Sequence, residues 1–206
     1  RSTRKESSAA QMCIRDRPRY APADLKATLV HPSLVGKTEH FIPEFSFVNQ
    51  NGVVINQKYM DNKIYVANFF FTSCPSICID LTNNLKLIQE EFADNNDIFI
   101  LSHSVDPSTD TIERLKKYEK INQINGKNWF LLRGEINDIV EIAQFGYFAI
   151  ASSDLLVEDS LIHTENFVLI DKNKQIRGVY NGTSKLEMSY FCLLYTSRAH
   201  ETKANL

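Results

Sequence analysis

The sequence predicts an α/β fold, a central mixed β-sheet flanked by helices, with a β-hairpin ahead of it. Three observations carry this. Two apolar runs of strand length, "IYVANFFF" (64–71) and "DIFILSHS" (97–104), are continuous rather than alternating, as in strands covered on both faces. Each is followed by a segment with helical spacing of apolar residues. The ordered part closes on two strand-like runs joined by a short polar turn. Alternating strands and helices imply parallel pairing, and the closing hairpin adds antiparallel strands.

Each element is justified in order. Residues 41–56, "FIPEFSFVNQNGVVIN", read as two short strands around Asn51-Gly52, because both turn positions tolerate positive φ. Residues 64–71 form the first buried strand. Leu81, Leu85, Ile88 and Phe92 then recur at helical spacing, predicting a helix over roughly 78–93. Residues 97–104 are the second buried strand. Asp106-Pro107 and Thr109 open a helix over about 109–120, with Ile112, Leu115 and Tyr118 inward. "NWFLL" (128–132) is a third strand. A third helix over 135–145 places Ile136, Ile139 and Ile142 inward. "NFVLID" (166–171), the turn "KNKQ" and "IRGVYNG" (176–182) form the last hairpin. This is a thioredoxin-like order with an N-terminal hairpin extension, in one domain without repeats.

Length and composition narrow the function classes. The chain has 206 residues, enough for one domain with a full core. Its net charge of −2 gives no global attraction for nucleic acid or an anionic membrane. Its 4 cysteines are too few for a disulfide scaffold. No apolar run reaches the roughly 18 residues of a transmembrane helix. Residues 1–20 lack an apolar h-region and are not expected to be a signal peptide.

The ends read differently from the middle. Residues 1–20 show no periodicity, and residues 192–206 follow a helix start and lose its pattern. "QMCIRDR" and "CLLYTSRAHETKANL" resemble translated sequencing-adapter read-through, the alternative being natural disordered tails. The expected organisation is a non-native or disordered tail over 1–20, a domain over 21–191 with a truncated final helix, and a second tail over 192–206. Cys13 and Cys192 should then carry no function.

The chemistry concentrates at Cys74 and Cys78, where a buried strand ends and a helix begins. Carboxyl ends of strands are where α/β sheets build sites. The partial positive charge of a helix start favours thiolate over thiol. Pro75 starts the turn and removes one backbone donor. Spacing of four puts both thiols on one helical face. A disulfide, a redox switch and a pair of metal ligands are all open on that spacing. Converging thiolates suit a soft ion such as Cu(I), whereas structural zinc needs about four protein ligands. Among the histidines, His31, His40 and His200 lie outside the packed pattern and are expected at the surface. His103 ends the second strand and can approach the cysteines or simply pack. His163 follows the irregular stretch 146–162, a loop that can fold over them, and spacing alone leaves ligand and structural roles open.

Three stretches together resemble the Sco/SenC family of copper-binding thioredoxin-fold proteins. They are "YVANFFFTSCPSIC" (65–78), "LSHSVDPSTDT" (101–111) and "IHTENFVLIDKNKQIRGVYNGT" (162–183), and the likeness runs from about Phe41 to Ser184. The resemblance implies copper, Cu(I) or Cu(II), held by Cys74, Cys78 and His163. It implies a metallochaperone serving the cytochrome c oxidase subunit with the Cu(A) site, other copper chaperones or thiol reductants as further partners, and a place on the periplasmic side of the cell membrane. The family's usual N-terminal membrane anchor is not expected within these residues, and because the chain begins with Arg rather than Met it could lie upstream. Asp106 matches a family aspartate near the copper loop, where it would steady a ligand from behind or recognise a partner. Its alternative is a helix N-terminal cap, a region shared with Asp110 and Thr111. Ile79 stands where the family usually has proline, and "SKLEMSYF" (184–191) begins the family's last helix.

The main alternative is a thiol–disulfide oxidoreductase, because a low thiol pKa at a helix start suits that chemistry as well. Two features weigh against a generic thioredoxin. The spacing is CxxxC rather than CxxC, and His163-Thr164-Glu165 stands where thioredoxins carry a cis-proline. Whether the chain is an enzyme stays open, since the same sulfurs serve both activities. A peroxidase-like reading has no Arg or Thr marked beside Cys74.

Overall fold

The computed structural model describes residues 18–74, 77–150 and 164–187. The strands are β1 (Ser46–Asn49), β2 (Val54–Asn56), β3 (Ile64–Phe70), β4 (Ile98–Ser104), β5 (Trp129–Arg133), β6 (Asn166–Ile170) and β7 (Ile176–Asn181). The α-helices are α1 (Ile77–Glu91), α2 (Ile112–Ile121) and α3 (Ile136–Glu141), the last running into a π-helical turn over Ile142–Gly146. All strands join one mixed sheet in the order β2-β1-β5-β4-β3-β6-β7. The expected fold class is the observed one.

The continuous apolar runs occupy the middle of the sheet. Every residue of β3 and β4 is buried, and the two pair in parallel from Ile64 opposite Ile98 to Phe70 opposite Ser104. β6 lies antiparallel on the other side of β3, with Ala67 opposite Val168. Each fully buried Leu, Ile or Phe side chain here contributes about 1.5–3 kcal/mol by leaving water.

β3, β4 and β5 are parallel neighbours in chain order, so right-handed crossovers put α1 and α2 on one face. Thr82 of α1 and Tyr118 of α2 share a 2.8 Å hydrogen bond there. The other face carries the π turn and the N-terminal segment, tied by a 2.8 Å bond between His40 Nε2 and the Gly146 carbonyl. Consecutive residues of β3 mark the two sides: Phe70 packs on Tyr118 and Phe69 on Tyr147.

The two strands of the hairpin extension form as expected, but of the two expected turn positions only Gly52 takes positive φ, and the strands are joined by the longer connection 50–53. Gly52 has φ +75°, and Asn49 Oδ1 accepts from the N–H groups of Asn51 and Val53. It joins the main sheet through β1, antiparallel to β5.

Several boundaries differ from expectation. The second helix starts at Ile112 because Thr111 caps it, accepting from the Arg114 N–H at 3.3 Å. The third helix changes to π geometry after Glu141. Ile139 and Ile142 are buried as expected, but Ile136 is 38% exposed. It is the first helical residue, and its side chain leans toward the N-terminus, off the sheet. At the N-terminus, Tyr20 bridges Ile176 and the Pro18 carbonyl accepts from Arg177 Nε. The chain therefore already packs ahead of the expected boundary at residue 21. Cys13, His163, Cys192 and His200 lie outside the described residues.

Candidate functional site

β3 delivers the site. It ends at Phe70, the chain turns through Phe71–Ser73, and Cys74 donates its N–H to the Phe71 carbonyl at 3.3 Å. α1 begins at Ile77, which puts Cys78 in its first turn. Cys74 is half-buried and Cys78 buried, and both are free thiols.

The electrostatics of Cys78 reverse the expectation from its helix position. Its thiol pKa is pushed up to about 12, first by burial and then by its hydrogen bond with Cys74. A backbone hydrogen bond with Phe71 opposes the rise, while the charges of Cys74 and Asp110 add to it. Desolvation thus outweighs the helix terminus at this position. At neutral pH Cys78 therefore rests as the thiol, and metal binding or disulfide formation there releases its proton.

Asp110 is a site residue that the sequence reading left among the caps. It is fully buried, and its carboxylate accepts from the Thr72 N–H (3.2 Å), the Thr72 hydroxyl and the Ser104 hydroxyl (2.6 Å). Arg114 Nε donates to Thr72 Oγ1 at 2.6 Å and lies 3.9 Å from Asp110 Oδ1. Tyr118 completes the wall. Its pKa rises to about 12, chiefly by burial, with the Thr82 hydrogen bond opposing and both cysteines and Asp110 adding to the rise. The four-residue spacing of Asp110 and Arg114 was a readable sign of pairing. The link from Asp110 back to Thr72 spans 38 positions and left no local sign.

The other candidates lie elsewhere. Asp106 is partly exposed and closes its own turn, accepting from Ser108 Oγ (2.7 Å) and the Thr109 N–H (3.2 Å). Burial raises its pKa, but those bonds and the Arg114 charge outweigh it and hold the carboxyl below its usual value. The helix cap is Thr111 rather than Asp106.

His103 lies one residue before the end of β4, but it projects to the face opposite α1 and α2, among Phe47, Phe69 and Tyr147. It is fully buried, and neither ring nitrogen has a hydrogen-bond partner. Burial lowers its pKa to about 3. His40 was expected at the surface and is instead buried against Phe148 and the Gly146 carbonyl, its pKa lowered mainly by burial. His31 caps a short turn through Ser33.

Among the described residues, no three His, Cys, Asp or Glu side chains are grouped to hold a metal ion. The third ligand expected from the resemblance, His163, lies outside them. Thr164, the next residue, leads into β6, which starts at the sheet edge where β3 ends.

Fold and site together define a thioredoxin-like α/β domain with a free cysteine pair at the carboxyl edge of its parallel strands. The chain belongs to the SCO1/SenC family, whose model matches residues 35–190. It is 31% identical over 147 residues to the SCO1 protein homolog of Bacillus subtilis, covering 68% of this chain and 74% of that protein. Among solved structures it resembles a SCO1/SenC family lipoprotein from Bacillus anthracis, with TM-score 0.67, 28% identity, and coverage of 79% of this chain and 96% of that one. It also resembles BsSco, a member of the Sco family of cytochrome c oxidase assembly proteins described as having a disulfide switch. There the TM-score is 0.65 at 28% identity, over 79% of this chain and 95% of that one. The Arabidopsis thaliana ScoI structure with copper bound shares the fold, with TM-score 0.58 and 20% identity over 77% of this chain and 99% of that one.

Proposed function

We propose that this protein carries copper as cargo on Cys74, Cys78 and His163 and delivers it to the cytochrome c oxidase subunit that bears the Cu(A) site. The observation that carries this is the paired free thiols at the sheet edge where β6 begins, at Asn166, three residues after His163. Two thiolates and an imidazole suit Cu(I) in near-trigonal geometry, and Cu(II) adds an oxygen ligand or water. Half-exposed Cys74 offers a partner the first sulfur to take over. The relatives named for oxidase assembly and for bound copper support the same cargo and partner. Other copper chaperones or thiol reductants are the further partners. The working place is the periplasmic side of the cell membrane. A lipoprotein relative supports that, and no helix among the described residues is long and apolar enough to cross a membrane.

Loading has a proton cost with a definite sign. Cys78 is protonated at neutral pH, so binding releases its proton. Affinity should fall about tenfold per pH unit lowered for each proton released.

The test is Cu(I) titration of the reduced protein beside Cys74→Ala, Cys78→Ala and His163→Ala. The reduced protein should take up one equivalent, and each variant should bind at least about tenfold more weakly, a loss of about 1.4 kcal/mol. A Cys74–Cys78 disulfide should not bind tightly. The thiol–disulfide oxidoreductase reading is favoured by one observation, the hydrogen bond between the two reduced thiols. It replaces the copper reading if His163→Ala binds copper as well as the unaltered protein and the pair turns over disulfide substrates rapidly.

A further inference from the structure

Asp110 is a costly residue to keep where it is. Burying a carboxylate costs several kcal/mol unless charge and hydrogen bonds compensate, and an apolar replacement often serves stability as well or better. Here three donors and a nearby guanidinium meet it. Those donors come from different parts of the fold. Thr72 follows β3 and precedes Cys74 by two residues, Ser104 ends β4, and Arg114 lies in the first turn of α2. Arg133 of β5 also donates, through Nε, to the Asp110 backbone carbonyl at 3.0 Å. Thr72 is held twice by Asp110 and once by Arg114, so the short turn into Cys74 has little freedom.

We propose that Asp110 is the positioning residue of the cysteine pair, acting through Thr72 to hold Cys74 within reach of Cys78. This rests on the reading that the two cysteines work as a pair. Holding them together raises the effective concentration of one thiol at the other, which favours their disulfide. In that step Cys74 and Cys78 lose two electrons and two protons and form one S–S bond. Oxidised glutathione, as acceptor, loses its own S–S bond and leaves as two thiols. Freeing the turn should move the balance toward the dithiol.

The test uses the full chain without copper, equilibrated in mixtures of reduced and oxidised glutathione. Alkylation and mass analysis of the peptide spanning Cys74 and Cys78 counts the disulfide. Asp110→Asn and Thr72→Val should each shift the equilibrium at least tenfold toward the dithiol, ~30 mV for a two-electron couple. Thr72→Ser keeps both donors and should stay within twofold of the unaltered protein. The proposal is overturned if Asp110→Asn and Thr72→Val fold, by circular dichroism and thermal melting, and both remain within twofold. If Asp110→Asn does not fold, Thr72→Val decides, because it leaves the carboxylate its Ser104 and Thr72 N–H bonds. Normal copper uptake with no shift defeats this proposal alone. A shift in a protein that takes up no copper defeats the copper reading alone.

Discussion

His103 and Ser104 are consecutive residues at the end of β4, and they project to opposite faces of the sheet. Ser104 donates to Asp110 and belongs to the polar network around the cysteine turn. His103 sits in an aromatic core with no hydrogen bond to either nitrogen. One face therefore supports a polar site by supplying the buried Asp110 carboxylate with donors. The other buries an imidazole by keeping it neutral. Two ways of burying polarity sit one residue apart, and the difference should be measurable as stability on one face and redox balance on the other.

The largest expected effect tests whether the faces are separable. Phe47 is buried, stacks on Phe45 and meets His103 edge-on. Phe47→Ala should cost about 3–5 kcal/mol in denaturant unfolding. Its glutathione equilibrium should stay within twofold of the unaltered protein. A redox shift as large as that of Thr72→Val would join the two faces into one unit and break the comparison.

Acid titration sharpens it next. The native His103 titrates near 3 and the unfolded residue near 6.5. Between those values the unfolded chain binds a proton that the native protein does not, so stability is complete above 6.5 and declines as pH falls. By pH 4 the loss from this residue should be roughly 3 kcal/mol. His103→Leu should remove it, so its unfolding free energy should fall less between pH 7 and pH 4. Parallel pH profiles for the two proteins would refute the neutral, unpartnered assignment.

The feature that made the fold legible also hid this division. "IYVANFFF" and "DIFILSHS" announce central strands because they do not alternate. A strand buried on both faces has no polar side to orient it, so the sequence placed His103 at the correct strand end without telling which way it points. The cysteine pair was legible because strand end, proline and CxxxC spacing are local. Asp110 was not, because its partner Thr72 is distant in sequence and its neighbours Asp106 and Thr111 offer better-known capping signals. His40 escaped for the same reason, its partner Gly146 lying 106 residues away. Helix starts shifted where a serine- and threonine-rich turn offered several caps and Thr111 was the one used.

The smallest expected effect compares two tyrosine hydroxyls, one on each face. The Tyr118 and Thr82 hydroxyls are hydrogen-bonded at 2.8 Å, linking α2 to α1 one turn beyond Cys78. Tyr147 is buried on the other face, and neither its hydroxyl nor that of Tyr65 meets hydrogen-bond geometry with a partner. Removing one partner of a buried bond leaves the other unsatisfied, at about 1–3 kcal/mol, whereas removing a hydroxyl that has no bond relieves a desolvation penalty. Tyr118→Phe keeps the ring against Phe70 and loses only the link. It should cost about 1 kcal/mol, with Thr82 half of the same loss in a double-mutant cycle. Tyr147→Phe should be neutral or slightly stabilising. If Tyr147→Phe cost as much as Tyr118→Phe, the far-face hydroxyl would have a partner after all, and the contrast between a satisfied face and an unsatisfied one would fail.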